Sequence, residues 1–424
     1  MNIPVNPIGV PPEDPKENHK VVKSEMTFEP VRPNTPDNTE KVLSPKQKMQ
    51  IKIRKVKEKQ PKQPLLLSAI ALLLALFFIL GNITFPVAAP NPDDYKNQGL
   101  QLTFVGDVML GRYIQTEGKK NGYEQFYKNV KDIWSDSDYV FANLETAVFT
   151  SQKTKYKPFD KIINISTDTK AVASMMDAGI NAVSFANNHS CDFGKKAFSS
   201  AIKWFEKKNL TYAGYIDKEA YNQSKTLNEQ EETEIYKPYT QIIVKDKKIG
   251  FIAVTDKYYA KTVKYGLLTT ADGDLNKYIN VSAIENDLTV VYAHWGEEYI
   301  KTVNSRQQEL AHQFVDAGAD IVIGCHPHIL QKIENYKDGM IFYSLGNFIM
   351  DQNNTFTCDS VIVQYNEDVS GNSSFELIPV RINNGVPSVT DNSIYKNRIK
   401  RELISGYDSS KYHIKESGNI VIDF

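Results

Sequence analysis

The sequence predicts an α/β fold in which helices cover layers of β-sheet, and three observations lead to this prediction. Beyond residue 101, short apolar runs of strand length alternate with longer runs that have helical spacing. The end of the chain is dominated by strand-like runs separated by turns. With 424 residues, the chain is also long enough to bury a large core. Alternating elements followed by a strand-rich end are typical of α/β layers closed by antiparallel sheet.

Each predicted element rests on its local residue pattern. The predicted strands are apolar runs bounded by turn residues, at 102–105, 139–142, 182–185, 241–244, 249–254, 288–292, 321–323, 340–343, 360–365 and 375–382. The runs at 241–244 and 249–254 flank a short polar segment and predict an antiparallel hairpin. Helical spacing predicts helices at 167–178, 195–208 and 306–317.

The first hundred residues predict a membrane anchor ahead of the folded domain. Residues 1–63 are rich in Pro, Asn, Glu and Lys, which predicts a disordered basic cytoplasmic tail. Residues 64–87 are apolar over the ~20 positions that span a bilayer. Basic residues on the amino side predict a single-pass helix with a cytoplasmic amino terminus. Residues 88–99 form a linker, and 100–424 form an extracytoplasmic domain. The alternative is a signal peptide cleaved after Val87-Ala88-Ala89.

The charge balance argues against nucleic-acid binding, and the cysteine count argues against a disulfide framework. Fifty basic residues against 51 acidic ones give a formal charge of −1, so the chain has no global signature of nucleic-acid binding. Its three cysteines are too few for a disulfide framework. Cys191 and Cys325 lie in two of the motifs below, so the sequence allows either a bond between them or two small buried side chains.

Polar residues with metal-binding groups follow several of the predicted strands. In an α/β sheet, ligand groups gather outside the carboxyl ends of strands, so residues far apart in sequence can converge there. The motifs are Gly106-Asp107, Asn143-Leu144-Glu145, Asn187-Asn188-His189, His294-Trp295-Gly296 and Gly324-Cys325-His326-Pro327-His328. This pattern predicts a metal site assembled at the edge of a sheet.

The candidate ligands combine carboxylate, amide and imidazole groups, which suit divalent manganese, iron, zinc or magnesium. They are Asp107, Glu145, Asn188, His294, His326 and His328. One carboxylate shared by two ions would allow a phosphate to be clamped and a water to be polarised. The sequence therefore predicts one or two divalent ions without identifying the metal.

Two further residues are candidates for catalysis. His189 follows a predicted ligand and is placed to protonate a leaving oxygen, or else it only orders its loop through Asp192. Arg112 is predicted to contact an anionic group through its guanidinium, or else it is a solvated arginine at a helix start. Asn143, Asn187, Asp192 and Asn347 are predicted to orient the ligands by hydrogen bonds, although Asn347 also suits an ordinary turn beside Gly346.

The motifs, in the order in which they occur, resemble those of the bacterial CapA family of capsule and poly-γ-glutamate synthesis proteins. The resemblance also includes Gly106 to Arg112 and Tyr343 to Phe348, and it runs from about residue 100 to residue 382. That family is in turn similar to calcineurin-like metallophosphoesterases. This resemblance implies a four-layer α/β/β/α sandwich after the transmembrane helix. It matches Asp107 to the first metal-binding aspartate, Asn188 and His189 to an Asn-His motif, and the later histidines to ligands.

The chain departs from the phosphoesterase pattern at two positions. Met109 stands where those enzymes have a histidine, and Glu145 stands where they have a bridging aspartate. A thioether is a poor ligand for hard ions, so the departures predict one metal or two with unequal affinity.

The resemblance implies work on an anionic surface polymer or a phosphorylated precursor, alongside membrane subunits for synthesis or export. The leading hypothesis is a metal-dependent phosphoester hydrolase, favoured by the retained ligand types. The alternative is a non-enzymatic accessory subunit that keeps the fold, favoured by Met109.

Overall fold

The computed structural model describes residues 48–49, 52, 99–151, 156–217, 220 and 239–424. The chain divides into two units, Met1–Leu80 and Gly81–Phe424, and the fold below is that of the second. Lys48, Met49 and Lys52 are helical. The rest of the predicted tail, the apolar segment 64–87 and the linker up to residue 98 lie outside the described residues. Among the helices that are described, none combines the length and the apolar character that a membrane crossing requires.

The described strands form two large sheets and one small one. In chain order they are β1 (Leu100–Val108), β2 (Tyr139–Leu144), β3 (Ala147–Phe149), β4 (Ser166–Asp168), β5 (Ala182–Ser184), β6 (Thr211–Ala213), β7 (Thr240–Val244), β8 (Lys247–Thr255), β9 (Leu288–His294), β10 (Ile321–Cys325), β11 (Ile333–Tyr336), β12 (Gly339–Phe342), β13 (Asn347–Ile349), β14 (Asp359–Glu367), β15 (Ser373–Asn383), β16 (Val386–Val389), β17 (Tyr412–Ile414) and β18 (Ile420–Asp423).

The first large sheet has the order β17-β18-β15-β14-β1-β2-β5-β6, with β13 paired to β1 and β16 to β15. Its β1-β2-β5-β6 half is parallel, whereas β14, β15, β17 and β18 pair antiparallel. The second large sheet has the order β11-β12-β10-β9-β8-β7 and is parallel from β8 to β12. Strands β3 and β4 form the small sheet. The predicted mixture of parallel layers and antiparallel closure is confirmed.

Helices connect many of these strands. They are α1 (Arg112–Asn121), α2 (Thr169–Asp177), α3 (Gly194–Lys208), α4 (Ala260–Val263), α5 (Leu275–Glu285), α6 (Ser305–Asp316) and α7 (Ser393–Leu403), with short 3₁₀ helices at Tyr123–Phe126, Lys131–Trp134 and Ser409–Lys411. Asp168 caps the start of helix α2, because its carboxylate accepts hydrogen bonds from two backbone N–H groups of the first turn. Helix α3 ends at Asn209 in the left-handed conformation.

The two large sheets pack face to face through aromatic side chains. The rings of Phe104 and Phe141 from the first sheet have centroids 5.1 Å apart. Phe141 lies 5.1 Å from Phe251 of the second sheet, and Phe104 lies 6.4 Å from Tyr292. All four side chains are fully buried. Because successive strand residues point to opposite faces, the neighbours of these residues must pack elsewhere.

Helices cover the outer faces of both sheets. Val291 and Ala293 of β9 join a second core with Ile279 of α5 and Phe314 of α6. On the first sheet, Phe185 follows β5 and stacks on Phe198 of α3, with ring centroids 5.4 Å apart. The result is a sandwich of helices, sheet, sheet and helices, as the resemblance to metallophosphoesterases implied.

Candidate metal centre

The predicted site residues lie at the carboxyl ends of strands from both large sheets. Asp107 is near the end of β1, and Glu145 directly follows β2. The Asn187-Asn188-His189 segment lies beyond β5, His294 ends β9, and the two histidines at 326 and 328 follow β10. The first sheet therefore supplies the carboxylates and amides, and the second sheet supplies three imidazoles. The structure brings these groups together in one pocket.

The end of β1 is shaped by close backbone packing. Gly106 lies so near β13 that a Cβ atom there would be 2.0 Å from the carbonyl oxygen of Gly346. The pairing of β1 with β2 also shifts register between Phe104 and Asp107. The hydroxyl of Tyr292, from the opposite sheet, donates toward the carbonyls of Val105 and Phe141 at 3.2 and 3.1 Å. This irregularity sets the direction in which Asp107 leaves the strand.

Glu145 lies at the centre of the pocket. Its side chain is 1% exposed, and neither carboxylate oxygen has a hydrogen-bond partner within the described part of the chain. Together with His294 and His326 it forms one group of possible ligands, and with Asp107 and His328 it forms a second. Within each group the ligand atoms lie within 4.8 Å of one another. Glu145 belongs to both groups, so one carboxylate could serve both of them.

Asp107 is held by neighbours that leave it facing the pocket. Its Oδ1 accepts a hydrogen bond of 2.8 Å from the Asn143 amide, and its Oδ2 accepts one of 3.2 Å from the backbone N–H of His326. The same Oδ2 lies 3.4 Å from Nδ1 of His328. Asp107 is fully buried. One carboxylate thus touches both predicted ligand histidines that follow β10.

Asparagine side chains connect the loops beneath the pocket. The Asn143 amide lies 3.2 Å from Nδ1 of His294, and its carbonyl oxygen accepts a hydrogen bond from Asn187. Asn187 accepts hydrogen bonds from the backbone N–H groups of His189 and Ser190. These contacts fix the loop after β5 against β2. Both asparagines lie where a supporting role was predicted.

His294 and Asn188 meet across the two sheets. Nε2 of His294 lies 2.9 Å from Oδ1 of Asn188 and 3.7 Å from Oε1 of Glu145. The rings of His294 and His326 have centroids 4.6 Å apart. These predicted ligands, although 106 residues apart in the case of Asn188 and His294, are in direct contact.

His326 and His328 both adopt positive φ angles, 95° and 60°. This region of backbone conformation is unfavourable for residues other than glycine and persists where the surrounding structure imposes it. Nδ1 of His326 is buried and has no hydrogen-bond partner among the described residues. Nδ1 of His328 lies 2.9 Å from Oδ1 of Asn347, which leaves Nε2 directed toward Glu145 at 3.9 Å. Asn347 thus contacts a candidate ligand, and its supporting role stays a prediction.

Burial shifts the pKa values of these groups in opposite directions. It raises the pKa of Glu145 well above its usual range and lowers the pKa of His294 and His326 well below theirs. Burial also disfavours the charged form of His328, but the Glu145 and Asp107 carboxylates outweigh it and raise its pKa to about 9. Neutral imidazoles next to a desolvated carboxylate are suited to bind a cation.

His189 lies beside the pocket and outside the groups of possible ligands. Its Nδ1 lies 2.7 Å from Oδ2 of Asp192 and 3.3 Å from Nζ of Lys161. Lys161 also forms an ion pair with Asp192 and donates a 2.8 Å hydrogen bond to the carbonyl of Asn188. Burial lowers the pKa of His189, and Asp192 opposes that effect. The contact with Asp192 leaves Nε2 as the nitrogen available to a substrate.

Arg112 and Met109 lie on the chain just after Asp107. The Arg112 guanidinium pairs with Asp351, and the residue has a φ of 48°. Its contact with an anionic group stays a prediction. Met109 is fully buried, and its sulfur accepts a hydrogen bond of 3.1 Å from the backbone N–H of Gly111. The thioether is therefore engaged with its own loop.

Two residues of the site were missed by the sequence analysis. Glu298 is exposed but groups with His326 and His328 as a possible ligand. It follows the His294-Trp295-Gly296 motif by two residues, so its position near the site could have been noticed. Lys161 lies in no motif of this kind.

His312 and the cysteines lie outside the site. Nε2 of His312 lies 2.9 Å from Oε1 of Glu334, and all three cysteines are free and buried.

The pocket fits a divalent ion on the chemistry of its donors. Buried polar groups normally find hydrogen-bond partners, yet Glu145 and Nδ1 of His326 find none within the described chain. The grouped ligand atoms lie within 4.8 Å of one another, so an ion could lie between them. Buried His, Glu and Asp groups could therefore hold an ion, whose identity and number stay open. Fold and pocket together define an α/β sandwich protein with a candidate divalent metal centre.

Comparisons with known proteins place this chain among the capsule proteins. The family described as bacterial capsule synthesis protein PGA_cap matches residues 101–352. The chain is 33% identical over 378 residues to the capsule biosynthesis protein CapA of Bacillus anthracis, covering 87% of each chain. It is 35% identical over 338 residues to the PGA biosynthesis protein CapA of Bacillus subtilis strain 168, covering 79% of this chain and 85% of that one.

The chain belongs to the CapA family of bacterial capsule synthesis proteins, as its motifs predicted. Among solved structures, it is similar to vacuolar protein sorting 29 from Cryptosporidium parvum, with 11% identity and a TM-score of 0.27. That similarity covers 69% of this chain and 96% of the other.

Proposed function

We propose that this chain is a membrane-anchored, extracytoplasmic, metal-dependent phosphoester hydrolase that serves the synthesis or export of an anionic surface polymer such as poly-γ-glutamate. The observation that carries the reaction is the buried, unpartnered carboxylate of Glu145 between two groups of possible ligands. Membership of the capsule family supports the biological role. The basic and apolar N-terminal sequence supports the anchor.

In this proposal the pocket residues hold one or two divalent ions. His294 and His326 share one position with Glu145, and Asp107 and His328 share the other. Asn188 reaches the first position from the loop after β5, where it contacts His294. When bound, such ions polarise a phosphoryl oxygen and lower the pKa of a bound water. The protein supplies fixed ligand directions from buried side chains.

His189 would donate the proton to the leaving oxygen. Asp192 holds Nδ1 at 2.7 Å, so the imidazole presents Nε2 to the substrate. Burial lowers the pKa of His189, but Asp192 and an incoming phosphate dianion both favour the protonated ring. Asp192 and Lys161 therefore hold the imidazole ring in position, and the negative charge of the substrate favours protonation of that ring.

A second candidate function is a non-enzymatic accessory subunit of a polymer synthesis complex. Met109 favours it, because a buried thioether that accepts a hydrogen bond from Gly111 stands where metallophosphoesterases have a ligand. In that case the fold and one ion would serve binding and not hydrolysis.

Metal analysis and a phosphatase assay on the full-length protein separate the two candidates. We expect about one or two equivalents of divalent metal by elemental analysis, and manganese-dependent hydrolysis of an aryl phosphate. The Glu145→Gln variant should lose both the bound metal and the hydrolysis, because it removes the carboxylate shared by the two groups of possible ligands. Bound metal without turnover would favour the accessory subunit, and absence of both would contradict the metal centre altogether.

A further inference from the structure

A basic groove lies on the surface beside the metal centre. It encloses about 580 Å³, the size of a small-molecule binding site, and is open to solvent along one side. Four exposed lysines lie along it: Lys157, Lys195, Lys196 and Lys261. We use the term basic groove for the cleft that these four residues border.

Within the described residues, the lysines of the basic groove have no carboxylate partners. None of the four forms an ion pair within the described part of the chain, and Asp160 is the single acidic residue that lines the groove there. Elsewhere in the protein, other exposed lysines are paired with carboxylates, as Lys337 is with Asp316 and Lys119 with Asp168. Because the whole chain carries a formal charge of −1, this local excess of positive charge is a feature of the groove.

The floor of the groove is aromatic. Tyr156 and Phe193 are buried and pack on Phe149, with ring centroids 4.9 and 4.7 Å from it. Phe159 packs against Tyr265 at 6.4 Å, and Nζ of Lys261 lies 5.9 Å from the Phe159 ring. These packed rings give the groove a preformed apolar surface between its positive charges.

The groove is joined to the metal centre by one loop. The backbone N–H of Phe159 donates a hydrogen bond of 2.6 Å to the carbonyl of Asp192, whose side chain holds His189. Lys161, two residues further along, donates to the carbonyl of Asn188. A ligand in the groove therefore lies beside the loop that carries the predicted general acid.

We propose that the basic groove binds an extended chain of carboxylates and directs it to the metal centre. Spaced lysines suit repeated negative charges, and the aromatic floor suits carbon segments between those charges. A chain with phosphate charges alone has no carbon segments with which to cover that floor. Only the delivery of the bound chain to the metal centre rests on the proposed function, because binding in the groove requires neither metal nor turnover.

The test is binding of fluorescent poly-γ-glutamate to the full-length protein. The variant Lys157→Gln/Lys195→Gln/Lys196→Gln/Lys261→Gln should weaken binding about tenfold, because it removes four exposed charge contacts. Its affinity should also depend less on salt than that of the unaltered protein. The control Lys170→Gln/Lys203→Gln/Lys207→Gln/Lys208→Gln removes the same charge from exposed positions outside the groove and should change affinity less than about twofold.

Three results would overturn the groove assignment: no binding of poly-γ-glutamate, an equal loss in both lysine variants, or equally tight binding of inorganic polyphosphate of matched charge. Glu145→Gln should bind the polymer normally, and the groove variant should keep its metal and its aryl phosphate hydrolysis. If the unaltered protein hydrolyses nothing, the proposed function fails, yet the contrast between the two lysine variants still decides the groove.

Discussion

At the scale of single residues, His189 is fixed by contacts that do not involve its second nitrogen. Asp192 and Lys161 both approach Nδ1, and the Asn187 side chain holds the backbone N–H. The ring cannot turn without breaking contacts to a buried ion pair, in which Lys161 is 8% and Asp192 1% exposed. This rigidity is what a proton donor needs, because transfer depends on a short and directed contact.

We predict that His189→Ala will lower kcat more for poor leaving groups than for good ones. A general acid contributes roughly 10²–10⁴-fold where the leaving oxygen needs a proton, and little where it does not. Hydrolysis of an alkyl phosphate should therefore fall much more than that of p-nitrophenyl phosphate, with metal content unchanged. His312→Ala, which removes a histidine outside the pocket, serves as control. Equal losses for both substrates would contradict the assignment.

The sequence indicated that the candidate ligands would lie together, because Asp107, His294 and His326 stand at the ends of strands with clear apolar patterns. Lys161 was not predictable in this way. It lies in a lysine-rich stretch that has the composition of a solvent-exposed loop, and it becomes buried only because the loop folds over Asp192. Contacts of that kind depend on residues that are distant in sequence and leave no local pattern.

At the scale of elements, the first turn of helix α6 contacts two loops of the site. Asn304 and Gln307 form a capping box, and the amide of Gln307 also donates to Gln331 at 2.8 Å. Gly296, at φ 80°, lies against the same side chain, so close that a Cβ atom would be 2.7 Å from it. The helix thereby supports the segments that follow β9 and β10.

We predict that Asn304→Ala will destabilise the protein by about 1 kcal/mol, because it removes the side chain that caps the first turn of α6. Asn304→Ser, which preserves a capping oxygen, should have a smaller effect. Urea unfolding measures both free energies. A loss in the serine variant as large as that in the alanine variant would show that the capping oxygen is not what stabilises this helix.

Three long helices and the hairpin of β7 and β8 were predicted, whereas helices α1, α5 and α7 and several short strands were not. The hairpin of β7 and β8 and the helices α2, α3 and α6 lie within a few residues of their predicted bounds. Strands β3, β4 and β13 have three residues each, too few for any periodicity, and exist because neighbouring strands supply their hydrogen bonds. Helix α7 was missed because only Ile399 and Leu403 of it are buried.

At the scale of the whole molecule, the pocket joins the two large sheets. Asp107, Glu145 and Asn188 belong to the first sheet, whereas His294, His326 and His328 belong to the second. The order of strands in each sheet could not be predicted, because strand pairing is decided by contacts across the chain. The convergence of strand ends could be predicted, because it follows from the layered architecture itself.

We predict that divalent metal will stabilise the whole domain. An ion that binds only the folded state at one hundred times its dissociation constant adds about 2.7 kcal/mol to the free energy of unfolding. Urea unfolding with manganese and with chelator measures the difference. Glu145→Gln should abolish the response, because it removes the carboxylate that two of the possible ligand groups share. A persisting response in the variant would place the ion elsewhere.

The candidate ligands lie in two separate stretches of the chain, residues 107–188 and 294–328. During synthesis the carboxylates and amides leave the ribosome long before the imidazoles do. The earlier stretch offers only oxygen donors to the candidate groups, whereas the later stretch offers the imidazoles together with the exposed Glu298. A nascent chain that has not reached residue 294 would thus hold no histidine of these groups, and an ion bound through Glu145 would report that both stretches had docked.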